Sequence, residues 1–123
     1  MDKAIISLFL PDGMLDYFEV TSVEKTEESY PISLAEKNQH PEEYAGENLI
    51  FKGYFAEITV KDFPIRGKAC YLKVKRRRWW NEDTGKVVFR NWELVAQGTR
   101  MTMEFASFLS DRRSESIASI PHR

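Results

Sequence analysis

A chain of 123 residues, 42% hydrophobic and 13% aromatic, has the size of one domain and the apolar content to build a core, which excludes a disordered protein. No apolar run reaches 18 residues, so no membrane-spanning helix is expected. The apolar stretch 4–10 leads into Pro11-Asp12-Gly13, not into a small-residue cleavage site, so no signal peptide is read. One cysteine, Cys70, and two separated histidines, His40 and His122, exclude an internal disulfide and a four-ligand zinc site within one chain, and the composition fits a reducing cytoplasm.

The net charge of −1 hides a division. Residues 1–47 hold 11 acids and 3 bases, −8; residues 48–123 hold 8 acids and 15 bases, +7. Eight of those bases fall within 61–78, against the single acid Asp62. The asymmetry between halves, not the total, bears on partners.

In chain order, residues 3–10 predict a short helix, with Ile5, Ile6, Phe9 and Leu10 near one face, stopped by Pro11. Residues 17–25 and 30–37 alternate like strands, the second with Tyr30, Ile32 and Leu34 on one side. The polar segment 26–29 joins them as a hairpin. Residues 38–48 form a loop with one helical turn at Glu42-Glu43-Tyr44. Residues 54–61 are expected as a strand, 62–68 as a loop and 69–80 as a second strand, with Cys70, Leu72 and Val74 on one face and Tyr71, Lys73, Lys75 and Arg77 on the other. A turn over 81–86 leads into a third strand over 87–95. Gly98 breaks that pattern, and Thr102 then N-caps a helix carrying Glu104 in its first turn and Phe105, Phe108 and Leu109 as its apolar stripe.

These elements predict an α+β fold: an antiparallel sheet of about five strands built from hairpins, with a short N-terminal helix and a short C-terminal helix. Residues 1–113 form a single domain, an acidic hairpin lobe over 1–47 and a basic β lobe over 48–113. Residues 114–123 are expected to be a disordered tail.

Catalytic chemistry finds no foothold. There is no Gly-rich phosphate loop, no Gly-x-Ser-x-Gly and no His-Glu-x-x-His. His40 sits in a polar loop, Cys70 on the apolar face of a strand, and the acid pairs Glu27-Glu28, Glu42-Glu43 and Glu82-Asp83 in turns, where carboxylates are ordinarily solvated. No enzyme, no metal and no cofactor is expected.

The basic strand is more informative. Arg76 and Arg78 continue the face that Leu72 and Val74 bury, and a guanidinium on a core face costs several kcal/mol unless paired. The strand is therefore expected to leave the sheet near Arg76 as a projecting ribbon. Lys86 and Arg90 would lie across the turn, and Trp79, Trp80 and Trp92 along the ribbon. Such an arm suits phosphate neutralisation and base stacking. The alternatives are that the bases pair with the acidic half at home or meet an acidic protein partner.

Asp62-Phe63-Pro64-Ile65-Arg66-Gly67-Lys68, followed by Tyr71-Leu72-Lys73-Val74-Lys75-Arg76-Arg77-Arg78-Trp79, resembles the N-terminal region protein of bacterial insertion-sequence transposases. Leu15-Asp16-Tyr17-Phe18-Glu19-Val20-Thr21, Pro41-Glu42-Glu43-Tyr44, Thr84-Gly85-Lys86-Val87-Val88 and Gly98-Thr99-Arg100-Met101-Thr102 extend the resemblance over roughly residues 5–110. The same strand and basic run are similar to the zinc-binding N-terminal module of a broader transposase family. There, Cys pairs flank the region and a helix-turn-helix follows. This chain departs from that pattern: the Cys pairs are missing and no helix-turn-helix is read after Leu109. If the kinship holds, packing and turn chemistry stand in for the metal.

The resemblance implies a non-catalytic module that associates with DNA near the element's ends. The acidic catalytic triad belongs to a downstream frame, and the catalytic transposase subunit is an implied partner. The candidate nucleic-acid-binding residues are Arg66, Lys68, Lys73, Lys75, Arg76, Arg77, Arg78, Trp79, Trp80, Lys86 and Arg90. A protein-interaction or self-association module, using the charge asymmetry to form a homo-oligomer, and an inactive stand-alone remnant remain the alternatives.

Overall fold

The structure, a computed structural model, describes Ile6 and residues 8–111. Of the helix expected over 3–10, Ile6 is helical, residues 8–10 are turn and bend, and the other four residues lie outside the described residues, as do the tail over 114–123 and His122. The class is α+β, with short helices before and after the strands. Helix α1 (Met14–Tyr17) leads into β1 (Phe18–Val23) and β2 (Ser29–Glu36). A 3-10 turn, Glu42–Tyr44, precedes β3 (Leu49–Tyr54). Strands β4 (Ile58–Ile65), β5 (Lys68–Lys75), β6 (Arg77–Asn81) and β7 (Lys86–Val88) follow, then α2 (Trp92–Gly98) and α3 (Met103–Leu109).

The strands form two sheets, one of four strands in the order β1-β2-β5-β4 and one of three in the order β3-β6-β7. All pairings are antiparallel except β2 with β5, which the chain reaches by way of β3 and β4. In the four-stranded sheet the inward alternates Tyr30, Ile32, Leu34, Ile58, Val60, Cys70, Leu72 and Val74 are all buried. With Phe18, Met14, Trp92, Ala96, Met101, Phe105, Ala106 and Leu109 they form one apolar cluster, apart from Tyr30. The helices thus cover a single face of this sheet, in two layers. Trp92 stacks on Phe18 at 5.1 Å between ring centroids and meets Tyr17 edge-on at 5.7 Å.

Turn and cap chemistry place the elements. Thr26 Oγ1 accepts from the Ser29 and Glu28 N–H groups and closes the β1–β2 hairpin. Asn91 caps α2 by accepting from the Leu94 N–H at 3.1 Å, and Thr102 caps α3 by accepting from the Phe105 N–H at 3.1 Å. The Asn91 cap explains why the strand expected over 87–95 stops at Val88 and gives way to a helix.

The expected loop over 62–68 is strand instead. β4 runs to Ile65, and Arg66 (φ 52) with Gly67 (φ 78) makes a two-residue turn into β5. Pro64 is tolerated because β4 is an edge strand, where a missing N–H leaves no ladder bond unmade. Arg66 holds a left-handed conformation that Asn adopts more readily. Arg66→Asn is therefore expected to stabilise the protein by about 0.5–1 kcal/mol, read as a higher Tm in thermal unfolding. An unchanged or lower Tm would contradict the turn geometry.

Two further expectations are corrected. The strand expected over 54–61 divides: β3, irregular around Gly53 (φ 94), ends at Tyr54, and residues 55–57 bend around Arg76 before β4 begins. The long strand expected over 69–80 divides at Arg76, and its halves belong to different sheets.

Candidate nucleic-acid interface

The projecting ribbon is not what forms. The chain does leave the four-stranded sheet at Arg76, but it passes into the three-stranded sheet, and Arg76 and Arg90 turn inward while Arg77 and Arg78 stay partly exposed. Arg76 continues the buried face of Leu72 and Val74 and is 1% exposed. It donates to the Leu109 carbonyl at 2.9 Å, to the Asp111 carbonyl and to the Ala56 carbonyl at 3.0 Å. The C-terminal carbonyls of a helix have no partners within it, and Arg76 supplies one for Leu109, the last residue of α3.

Glu36, at the inward end of β2, is the anionic half of the junction. It is 2% exposed. One carboxylate oxygen accepts from the Arg77 backbone N–H at 2.8 Å and the other from Arg90 Nε at 2.8 Å. Its carbonyl accepts from Arg77 Nε at 2.8 Å. Arg90, buried, also donates to the Gln39 carbonyl and lies among the rings of Tyr17, Trp92 and Trp79. Burial pushes the Glu36 carboxyl above its ordinary value of 4.5; the Arg77 N–H and the Arg90 guanidinium oppose that rise without cancelling it.

The remaining predicted residues divide by surface. Arg66 is exposed at the tip of the β4–β5 turn. Lys68 lies two residues on, its Nζ bonded to the Thr26 carbonyl at 2.9 Å and set over the Tyr30 ring. Lys73 and Lys75 lie on the outer face of the four-stranded sheet. Arg77 stacks over Phe51 at 4.4 Å and Tyr54 at 5.6 Å, and Lys75 reaches Tyr54 at 5.8 Å. Arg78 donates to the Lys52 carbonyl at 3.1 Å. Trp79 is fully buried, with the His40 ring edge-on at 5.9 Å, while Trp80 is half-buried on the opposite face and Lys86 is exposed. Arg76, Arg90 and Trp79 are therefore framework, not surface.

What the structure assembles is a β face that no helix covers among the described residues. Lys73 is paired across the sheet with Ser33 on β2 and Thr59 on β4; Tyr71 is paired with Pro31 and Lys61, and Lys75 with Ala35. Of these alternates only Ala35 is buried. Lys61, Lys73 and Lys75 thus share one face with Tyr71, Ser33 and Thr59, and the row continues through Tyr54 to Arg77 and Phe51 where the sheets meet. Sequence reasoning missed Glu36, Phe51, Tyr54 and Lys61 as site residues. Glu36 carried a signal: it extends the Tyr30, Ile32, Leu34 alternation inward, as Arg76 extends that of Leu72 and Val74.

Turn chemistry holds the basic β6–β7 hairpin. Asn81 Oδ1 accepts from the Asp83 and Thr84 N–H groups, its carbonyl accepts from Gly85, and the Asp83 carboxylate accepts from the Asn48 backbone and side chain. Cys70 is buried, and burial with nearby Asp62 pushes its thiol up to about 11, so it stays protonated and inert at neutral pH. Among the described residues no helix is long and apolar enough to cross a membrane. Comparison with protein-family models, with curated proteins and with solved structures gives no match.

Proposed function

We propose that this chain is a non-catalytic DNA-binding module, the N-terminal module of an insertion-sequence transposase, and that it holds duplex DNA on the outer face of the four-stranded sheet. The observation that carries the reading is that face: three lysines, Lys61, Lys73 and Lys75, beside the hydroxyl groups of Ser33, Thr59 and Tyr71, with no helix packed over it among the described residues. Ammonium and hydroxyl donors on a flat sheet suit phosphate and sugar contacts, which position a protein on DNA without reading bases. The resemblance of the basic strand to transposase N-terminal regions supports the same reading. Pairing of copies acid lobe to basic lobe is less favoured, because Glu36 already binds Arg77 and Arg90 within the chain.

Neutralising about three phosphates predicts a slope of about −3 for log K against log salt. Lys73→Ala with Lys75→Ala should bring that slope to about −1 without lowering Tm. Fluorescence anisotropy of a labelled duplex over a salt series checks this. Absence of duplex binding at low salt, or an unchanged slope in the double variant, would remove the reading.

A further inference from the structure

The three-stranded sheet has a second exposed surface, on the face opposite Trp79. Register places Ile50, Trp80 and Val87 side by side across all three strands. Ile50 is 48% and Val87 40% exposed, on a sheet whose other face buries Trp79 completely. The next positions along β3 and β6 are Lys52 and Arg78, with Lys52 Nζ 5.6 Å from the Trp80 ring centre. The strip is thus apolar over its middle and cationic at one end. Aliphatic side chains, not rings, hold most of its exposed area, so it offers burial to apolar side chains and no stacking platform to bases.

We infer that this strip docks an acidic amphipathic helix of another protein. Strand spacing makes the Ile50–Trp80–Val87 row about 10 Å long, the rise of two helical turns. A helix with apolar residues at i, i+3 or i+4, and i+7 would cover the row. Carboxylates on its shoulder would meet Lys52 and Arg78, about 7 Å along the strands. Charge complementarity selects the partner, because the strip's flanking residues on β3 and β6 carry cations. The inference stands apart from the DNA reading, which uses the other sheet.

The test uses the full chain and a 14-residue helical peptide with a leucine stripe edged by glutamates, with a lysine-edged counterpart as control. The Trp80 indole resonance is followed by NMR. The glutamate peptide should shift that resonance and bind at least about tenfold more tightly than the lysine peptide. Ile50→Ser with Val87→Ser should weaken it at least about tenfold while leaving duplex binding intact. An unmoved Trp80 resonance, or equal binding of both peptides, would overturn the inference. So would loss of duplex binding in that variant, which would assign the strip to nucleic acid. A concentration-dependent dimer in sedimentation that the variant abolishes would assign it to a second copy, and would overturn the inference too.

Discussion

Arg76→Ala is expected to cost about 3–5 kcal/mol and to lower Tm by at least about 12 °C, whereas Lys73→Ala and Lys75→Ala on the same basic run should each stay within about 0.5 kcal/mol. The contrast follows from where three neighbouring cations sit. Removing Arg76 leaves the buried Leu109 carbonyl and the partly buried Asp111 and Ala56 carbonyls without this donor and opens a cavity beneath Leu109. A buried acceptor left without its donor costs about 1–3 kcal/mol, and the lost side-chain volume adds to it. Arg76→Lys should recover little, because one ammonium cannot reach acceptors on both the end of α3 and the 55–57 segment as a guanidinium fork does. Denaturant unfolding of the four variants checks this. An Arg76→Ala variant as stable as Lys73→Ala would contradict the clamp.

The second large effect lies at the Glu36–Arg90 pair. Arg90→Met and Glu36→Leu are each expected to cost about 3–5 kcal/mol, because each leaves a buried charge or donor alone. Glu36→Leu combined with Arg90→Met should be less destabilised than the sum by about 1–3 kcal/mol, since the pair's desolvation disappears with it. Strict additivity would show that the two side chains do not interact. The pH dependence has a definite sign. Because burial raises the Glu36 carboxyl above 4.5 in the folded protein, the fold retains this proton where the unfolded chain has released it. Its contribution is full below the unfolded value and is lost as pH rises through the folded one. The stability advantage of wild type over Glu36→Gln should therefore narrow as pH rises above the ordinary carboxyl value of 4.5. A widening gap would mean that the arginines outweigh burial.

Local chemistry made much of this fold legible. The β1–β2 hairpin, the Glu42–Tyr44 turn and the Thr102-capped helix follow from alternation, turn residues and an N-cap, all set by neighbours in sequence. β3 was missed because its exposed Ile50 and Phe51 flout the inward-outward alternation that announces a strand. The parallel β2–β5 pairing is non-local and leaves no mark on either strand alone. At the site, the sequence showed a run of bases but not their directions. Arg76 stands between two strands of different sheets, and only the arrival of Glu36, the 55–57 segment and the end of α3 decides that the guanidinium groups turn inward. The two lysines that precede it alternate outward in a regular strand, and there the pattern was sufficient.

The central claim is that the arginines at positions 76 and 90 bind the chain to itself while the lysines of the outer face remain available to phosphate. NMR of the arginine Nε–H and lysine ammonium resonances, with and without a duplex at low salt, tests it most directly. The expected result is slow exchange and unmoved resonances for Arg76 and Arg90, with shifts at Lys61, Lys73 and Lys75. Fast-exchanging Arg76 and Arg90 guanidinium groups that shift on adding DNA, beside unaffected lysines, would contradict it.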